Sequence, residues 1–211
     1  MEFFLNDRLI KTIVFDIGGV LIDIHPEKTF QYISNCIDTN IATLRADFPN
    51  KIHDEYERGH LNNEEWFTKY KESLPQPCFL KEIDFWKAWS LLLGREKRTV
   101  ETLKNLSKHY SIWLLSNTNP KHIKNELEKN YSFSNLVDGA IYSFETGFRK
   151  PEIEIYEYFV NKSNSEPNAC LFIDDLYENV KGAKNFGMHS IQFFSRENLL
   201  RDLKKMKIKG L

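Results

Sequence analysis

The chain is poor in cysteine, has no long apolar run, and neither sign of charge predominates. Three cysteines, Cys36, Cys78 and Cys170, are odd in number, scattered, and without metal-ligand spacing. That excludes a disulfide framework and a thiolate metal site, and a reducing, cytoplasmic setting is expected. The 29 basic and 30 acidic residues leave a net charge of −1. No whole-chain basic footprint for nucleic acid exists, and the basic stretch RDLKKMKIKG is read as a solvated helix face. No segment is long and apolar enough to span a membrane. The opening MEFFLNDRLIKTIVF is interrupted by Asp7, Arg8 and Lys11, so it lacks the basic start and unbroken apolar core of a signal peptide. Repeats and low-complexity tracts are also missing.

What is abundant is core material: 41% of residues are hydrophobic, with 16 Phe, 9 Tyr and 4 Trp. At 211 residues, one domain, or one domain carrying an insert, is expected. Five short apolar runs read as strands: 12–15, 112–116, 140–143, 170–174 and 190–194. Several hold no polar residue until their last position, as strands covered on both faces do. Helical patterns lie between them, at 97–109, from Asn119-Pro120, from Pro151, over 178–186 and after Ser195. Alternating strand and helix predict an α/β fold, a doubly wound parallel sheet of Rossmann-like form. From about 26 to 95 no convincing strand occurs. Pro26 opens one helix, Asn62 with Glu65 forms a capping box before another, and FLKEIDFWKAWSLLL carries apolar residues at helical spacing. A small helical cap over 25–95, inserted after the first strand into a core of 1–24 and 96–211, is therefore expected, with the large aromatics of 79–93 as its packing.

Ligands of open parallel sheets bind beyond the carboxyl ends of the strands, and those ends are chemically loaded. The first strand ends at Asp16, followed by Gly18 and Gly19. The second ends at Ser116-Asn117. Lys150 follows the third, and the fourth ends at Asp174-Asp175. An acid, a hydroxyl, an ammonium and two further acids suit phosphoryl transfer. A carboxylate attacks phosphorus to give an aspartyl-phosphate, and Mg²⁺ relieves the repulsion among the acids and the phosphate dianion. A hydroxyl and an ammonium meet the phosphoryl oxygens. Backbone at Gly18 and Gly19 passes close to the anion, with its N–H groups toward it.

FDIGGVL, WLLSN, GFRKPEIEIY and FIDDLYENVKGAKNFGM together resemble the four motifs of the haloacid dehalogenase superfamily, in the branch with a helical cap after the first strand. The resemblance covers nearly the whole chain. It implies a Mg²⁺-dependent phosphatase with Asp16 as nucleophile, and Ser116 and Lys150 holding the phosphoryl group. Asp16, the Gly18 carbonyl and Asp175 would hold the metal, with Asp174 beside them and Asn179 near a metal-bound water. Asn117 is placed either on the substrate or on neighbouring backbone, and Arg149 at the surface. The implied partner is a small phosphorylated metabolite, the protein a monomer or homodimer.

Position 18 departs from the pattern. Phosphatases of the superfamily usually carry there the aspartate that protonates the leaving oxygen and later activates water, and a positioned acid contributes ~10²–10⁴ in rate. DIGGVLID with IHP, ERGHL and LLSNTN resembles bacterial glucose-1-phosphate phosphatases, which also lack that acid. An anomeric leaving group is acidic enough to need less protonation. Asp23 and His25 are the nearest candidates in sequence for the missing proton transfer. In the cap, Glu57, Arg58 and Gly59 either read sugar hydroxyls or end a helix. Two rivals share the site: a dehalogenase, which has no need of the paired acids, and a phospho-ligand sensor without turnover.

Overall fold

The computed structural model describes residues 10–211. Asp7 and Arg8, on which the reading of a missing signal peptide leans, lie outside the described residues. Four residues, Thr12–Phe15, three of them apolar, form β1, buried at every position. Their side chains alternate between two cores, because successive residues of a strand face opposite ways. Ile13 and Phe15 point to one core and Val14 to the other. The same sorting holds in Ser111–Ser116 (β4), where Leu114 and Leu115 part company, and in Cys170–Asp174 (β6), where Phe172 separates from Leu171 and Ile173.

Two short strands precede β4, Ile22–Ile24 (β2) and Leu93–Glu96 (β3), and pair antiparallel as a separate ribbon. With Gly139–Tyr142 (β5) and His189–Gln192 (β7), the main sheet has the order β5-β4-β1-β6-β7, all parallel. The expected doubly wound α/β fold is therefore what forms. From the central β1, successive strands are added first on one side and then on the other. The reversal falls beside β1, so a crevice opens at the end of that strand.

Five helices follow β2: Pro26–Ile37 (α1), Ile41–Ala46 (α2), Asn50–Glu57 (α3), Asn63–Ser73 (α4) and Glu82–Ser90 (α5). They close around their own core, in which Trp66 is fully buried and stacks on Tyr56 at 5.5 Å. The capping box at Asn62 and Glu65 is made as the sequence predicts. Two readings need correction. The helical pattern over 79–93 stops at Ser90, and Leu93–Glu96 is a strand. Gly94 permits this: a Cβ there would stand 2.8 Å from the Asp23 Cβ and 2.6 Å from the His25 ring, closer than side chains pack. The sequence hides the strand because it is short and lacks β-branched residues.

On the sheet lie Thr99–Leu106 (α6), Pro120–His122 (α7), Glu128–Asn130 (α8), Ser143–Thr146 (α9), Ile153–Ser163 (α10), Tyr177–Phe186 (α11) and Arg196–Lys205 (α12). A π-helical stretch, Ile123–Leu127, joins α7 to α8. Helices α6 and α12 cover one face of the sheet, α10 and α11 the other. Asn119 and Ser195 cap their helices as expected. Pro151 does not open α10, whose cap residue is Glu152. Among the described residues, no helix is long and apolar enough to cross a membrane.

Candidate active site

The carboxyl ends of β1, β4 and β6 converge on one ammonium. Lys150, 4% exposed, donates to Asp16 Oδ1 at 2.6 Å, Asp174 Oδ2 at 2.6 Å and the Leu115 carbonyl at 2.7 Å. An ammonium has three protons, and each goes to a different strand. The loop that carries Lys150 is fixed by Asn117, whose amide donates to the Lys150 carbonyl at 2.9 Å and accepts from its N–H at 2.8 Å. Asn117 thus borders the cavity but spends its side chain on backbone: it positions Lys150 rather than binding substrate.

Asp174 is fully buried and saturated. Its Oδ1 accepts from the Leu176 N–H at 2.9 Å, its Oδ2 from Lys150, and both oxygens from Asn179 Nδ2 at 3.1 Å. Asp174 anchors Lys150, and Asn179 anchors Asp174. Asp16 Oδ2 and the Asp175 carboxylate, by contrast, have no side-chain hydrogen bond among the described residues. Oxygens of Asp16, Asp174 and Asp175 lie within 4.8 Å of one another.

Burial drives the Asp16 carboxyl up to about 7 against the pull of Lys150, with Asp174 and Asp175 pushing the same way. Asp175 is raised too, by burial and then by Asp174. Lys150 is held above its ordinary range because its two carboxylates together outweigh its burial. Three acids served by one ammonium form an oxygen-only, electron-rich site, and that donor set fits a hard divalent ion such as Mg²⁺.

A cavity of about 260 Å³ opens over these groups. Asp16, Gly18, Ser116, Lys150 and Asp175 line its floor, and His53 and Glu57 of α3 line its cap side. The Ser116 hydroxyl is 3.5 Å from the Asn117 carbonyl, too far for a sound hydrogen bond, and is free to meet a ligand. Gly18 lies on the wall; Gly19 does not do what its sequence position suggests. Its N–H goes to the Ile22 carbonyl at 2.9 Å, and its carbonyl takes Lys97 Nζ at 2.5 Å. With φ of +75°, a Cβ there would fall 2.3 Å from Asp175 Oδ2. Gly19 makes room for Asp175 and offers no N–H to an anion.

Of the cap residues, Glu57 reaches the cavity and Arg58 does not. Arg58 is turned outward onto Glu152, with a second contact to the Gly147 carbonyl at 3.1 Å. Arg149, expected at the surface, crosses the other way: its guanidinium takes Asp54 at 2.6 Å and Glu57 at 2.7 Å. These exchanged pairs fasten α3 to the loop holding Lys150. Asp23 and His25 do not border the cavity. Sequence reasoning missed His53, Asn119 and His122 on the cavity wall. Asn119 is visible as a helix cap, but nothing in the sequence marks the two histidines.

A family model described as haloacid dehalogenase-like hydrolase matches residues 10–187. A D-ribitol-5-phosphate phosphatase of Bacteroides thetaiotaomicron is 28% identical over 191 residues, covering 87% of this chain and 92% of that one. A crystal structure of a haloacid dehalogenase family enzyme from the same organism superposes with a TM-score of 0.81 at 23% identity, over 92% of this chain and 99% of that one. A mutant of that enzyme, crystallised with magnesium and inorganic phosphate, gives 0.76 at 23% identity over 91% and 100%.

Proposed function

Because the chain belongs to the haloacid dehalogenase-like hydrolases, we propose that it hydrolyses a small phosphate monoester through an aspartyl-phosphate on Asp16. The observation that carries the reading is the three-way grip on Lys150. It pins Asp16 Oδ1 and leaves Oδ2 as the attacking oxygen, at the floor of the cavity. Ser116 donates to a phosphoryl oxygen, and the Lys150 charge offsets what builds up there. Asp16, Asp175 and the Gly18 carbonyl, which accepts none of the loop's backbone hydrogen bonds, would hold Mg²⁺. When bound, the metal neutralises the phosphate dianion and the charge developing on it. The magnesium and phosphate bound by the mutant neighbour support that assignment.

For the substrate we favour a sugar or polyol phosphate, such as glucose 1-phosphate. The relative named for D-ribitol 5-phosphate supports the class, as do the polar residues His53 and Glu57 that α3 brings to the cavity. A panel of sugar, polyol and alkyl phosphates, assayed for phosphate release with and without Mg²⁺, tests both levels. Metal-dependent release from at least one ester is expected. Phosphate binding without any turnover would favour a sensor, and metal-independent release of halide from a 2-haloacid would favour a dehalogenase.

Metal affinity should depend on pH in a defined sense. The ion needs the ionised carboxylate, and Asp16 holds its proton up to about 7. Apparent Mg²⁺ affinity should fall about tenfold per pH unit below 7 and level off above it, as calorimetric titration would show. Stability of the metal-free protein is a poorer readout. The raised Asp16 favours folding on acidification from 7 toward 3.8. His122 opposes it, since burial lowers its imidazole to about 4, so unfolded chains gain protons below 6.5. An affinity independent of pH from 5 to 8 would remove Asp16 from the metal site.

A further inference from the structure

On the phosphatase reading, the reaction centre lacks one part: position 18 has no side chain to move a proton. Two successive in-line displacements at one phosphorus use the same apical position, opposite the nucleophile. The leaving oxygen departs there and water enters there. Asp16 stands at the strand ends, so the missing group must reach the same cavity from elsewhere, and α3 brings His53 and Glu57 to its lining.

The other candidates are already committed. Asp23 lies outside the cavity beside Lys97, at 4.0 Å, and His25 outside it against Gly94. His122 borders the cavity, but its Nδ1 meets Asn119 Nδ2 at 3.0 Å and its Nε2 the Trp89 carbonyl at 3.1 Å. Of the two histidines that border the cavity, His53 alone has no side-chain hydrogen bond among the described residues, and its Nε2 stands 3.8 Å from Glu57 Oε1. The rings of Trp66 and Trp89, at 5.3 and 5.7 Å, fix its plane. The other Glu57 oxygen is held by Arg149, the residue next to Lys150, so one loop aligns both walls. Because Arg149 already bridges Asp54 and Glu57, the His53–Asp54–Glu57 group needs no metal of its own.

The geometry points to His53, backed by Glu57, as the catalytic base that replaces the acid missing at position 18. A water attacks the phosphorus of the aspartyl-phosphate. Its proton passes to the free nitrogen of His53, the P–O bond to Asp16 breaks, and phosphate leaves. Glu57 stabilises the imidazolium until the proton returns to solvent. Burial holds the resting imidazole below the usual histidine range, with Arg149 adding to that and Glu57 and Asp54 opposing it. A neutral ring is what a base requires. The first half-reaction then depends on the acidity of the leaving group itself.

The test uses p-nitrophenyl phosphate, whose leaving group needs no protonation, with Mg²⁺ present. His53→Gln should release one equivalent of nitrophenol in a burst and then turn over about 10²-fold more slowly than wild type, with phosphate trapped on the chain. Glu57→Gln should show the same burst with a fall of about tenfold. Adding Gly18→Asp to His53→Gln should recover at least about tenfold. The backbone at 18 is not in the left-handed region, and a Cβ there meets only the flexible Ile24 side chain, at 3.3 Å. Turnover within about threefold of wild type, a fall without a burst, or no recovery in the double variant would each overturn the assignment and leave His53 a packing role. Wild-type protein that releases phosphate from no ester would instead defeat the phosphatase reading itself.

Discussion

Asp16→Asn is expected to abolish turnover while making the metal-free protein more stable. On the proposed mechanism the nucleophile disappears, and loss of a nucleophile that works as one unit with its neighbours costs at least ~10⁴ in rate. Stability should move the other way. The Asp16 carboxyl is buried beside Asp174 and Asp175, and its pKa of about 7 means that ionising it works against the fold. Asparagine keeps the shape and can still accept from Lys150 at the Oδ1 position, now 2.6 Å away, but carries no charge. The gain should be near zero only toward pH 3.8, where the unfolded chain also holds the proton, be partial at pH 5, and grow up to pH 7, levelling off above it at no more than about 4 kcal/mol. Thermal unfolding in a chelator at pH 5 and pH 8 checks this, and Mg²⁺ should narrow the difference by stabilising only the wild type. A variant less stable than wild type at pH 8 would mean that the Lys150 pair outweighs the repulsion.

The sheet and the convergence of its loaded ends were legible because both are local signals. A strand buried on both faces must be apolar throughout, and residues at the ends of neighbouring parallel strands must meet. TIVF, CLFID and WLLS therefore announce themselves, and so do Asp16, Ser116 and Asp174. Partner choice was not legible. Arg58 and Arg149 both sit in Arg-Gly or Gly-Phe-Arg turns, yet Arg58 pairs with Glu152 and Arg149 with Asp54 and Glu57. Each pair joins residues more than ninety positions apart, and no local pattern encodes that. The saturation of Asp174 has the same origin, since it depends on Asn179 lying one helical turn away on α11 and on Lys150 arriving from another loop. Gly19 misled for a different reason. Its freedom serves the Asp175 side chain rather than a ligand, and a glycine does not say which neighbour needs the space.

Lys150→Met should lower both activity and stability, which separates it from Asp16→Asn. Methionine fills most of the same volume but offers no proton to the three strands. Asp16 loses its one hydrogen bond, the Leu115 carbonyl is left unpaired, and Asp174 keeps only the Leu176 N–H and Asn179. Removing one partner of a buried ion pair costs about 3–5 kcal/mol. Loss of a preorganised charge at the phosphoryl group should cost about 10³-fold in kcat. The unpaired acids then have two remedies, protons and metal. The deficit in melting temperature should therefore shrink on acidification toward pH 5, and the stabilisation by Mg²⁺ should exceed that of wild type. Lys150→Arg should not restore activity, because three acceptors on three strands, all within 2.7 Å of one nitrogen, suit a compact ammonium and not a planar fork. If Lys150→Met melts like wild type in chelator at pH 8, the ammonium is not what holds the acids together, and the oxygen of Asp16 that attacks must be aligned by another group.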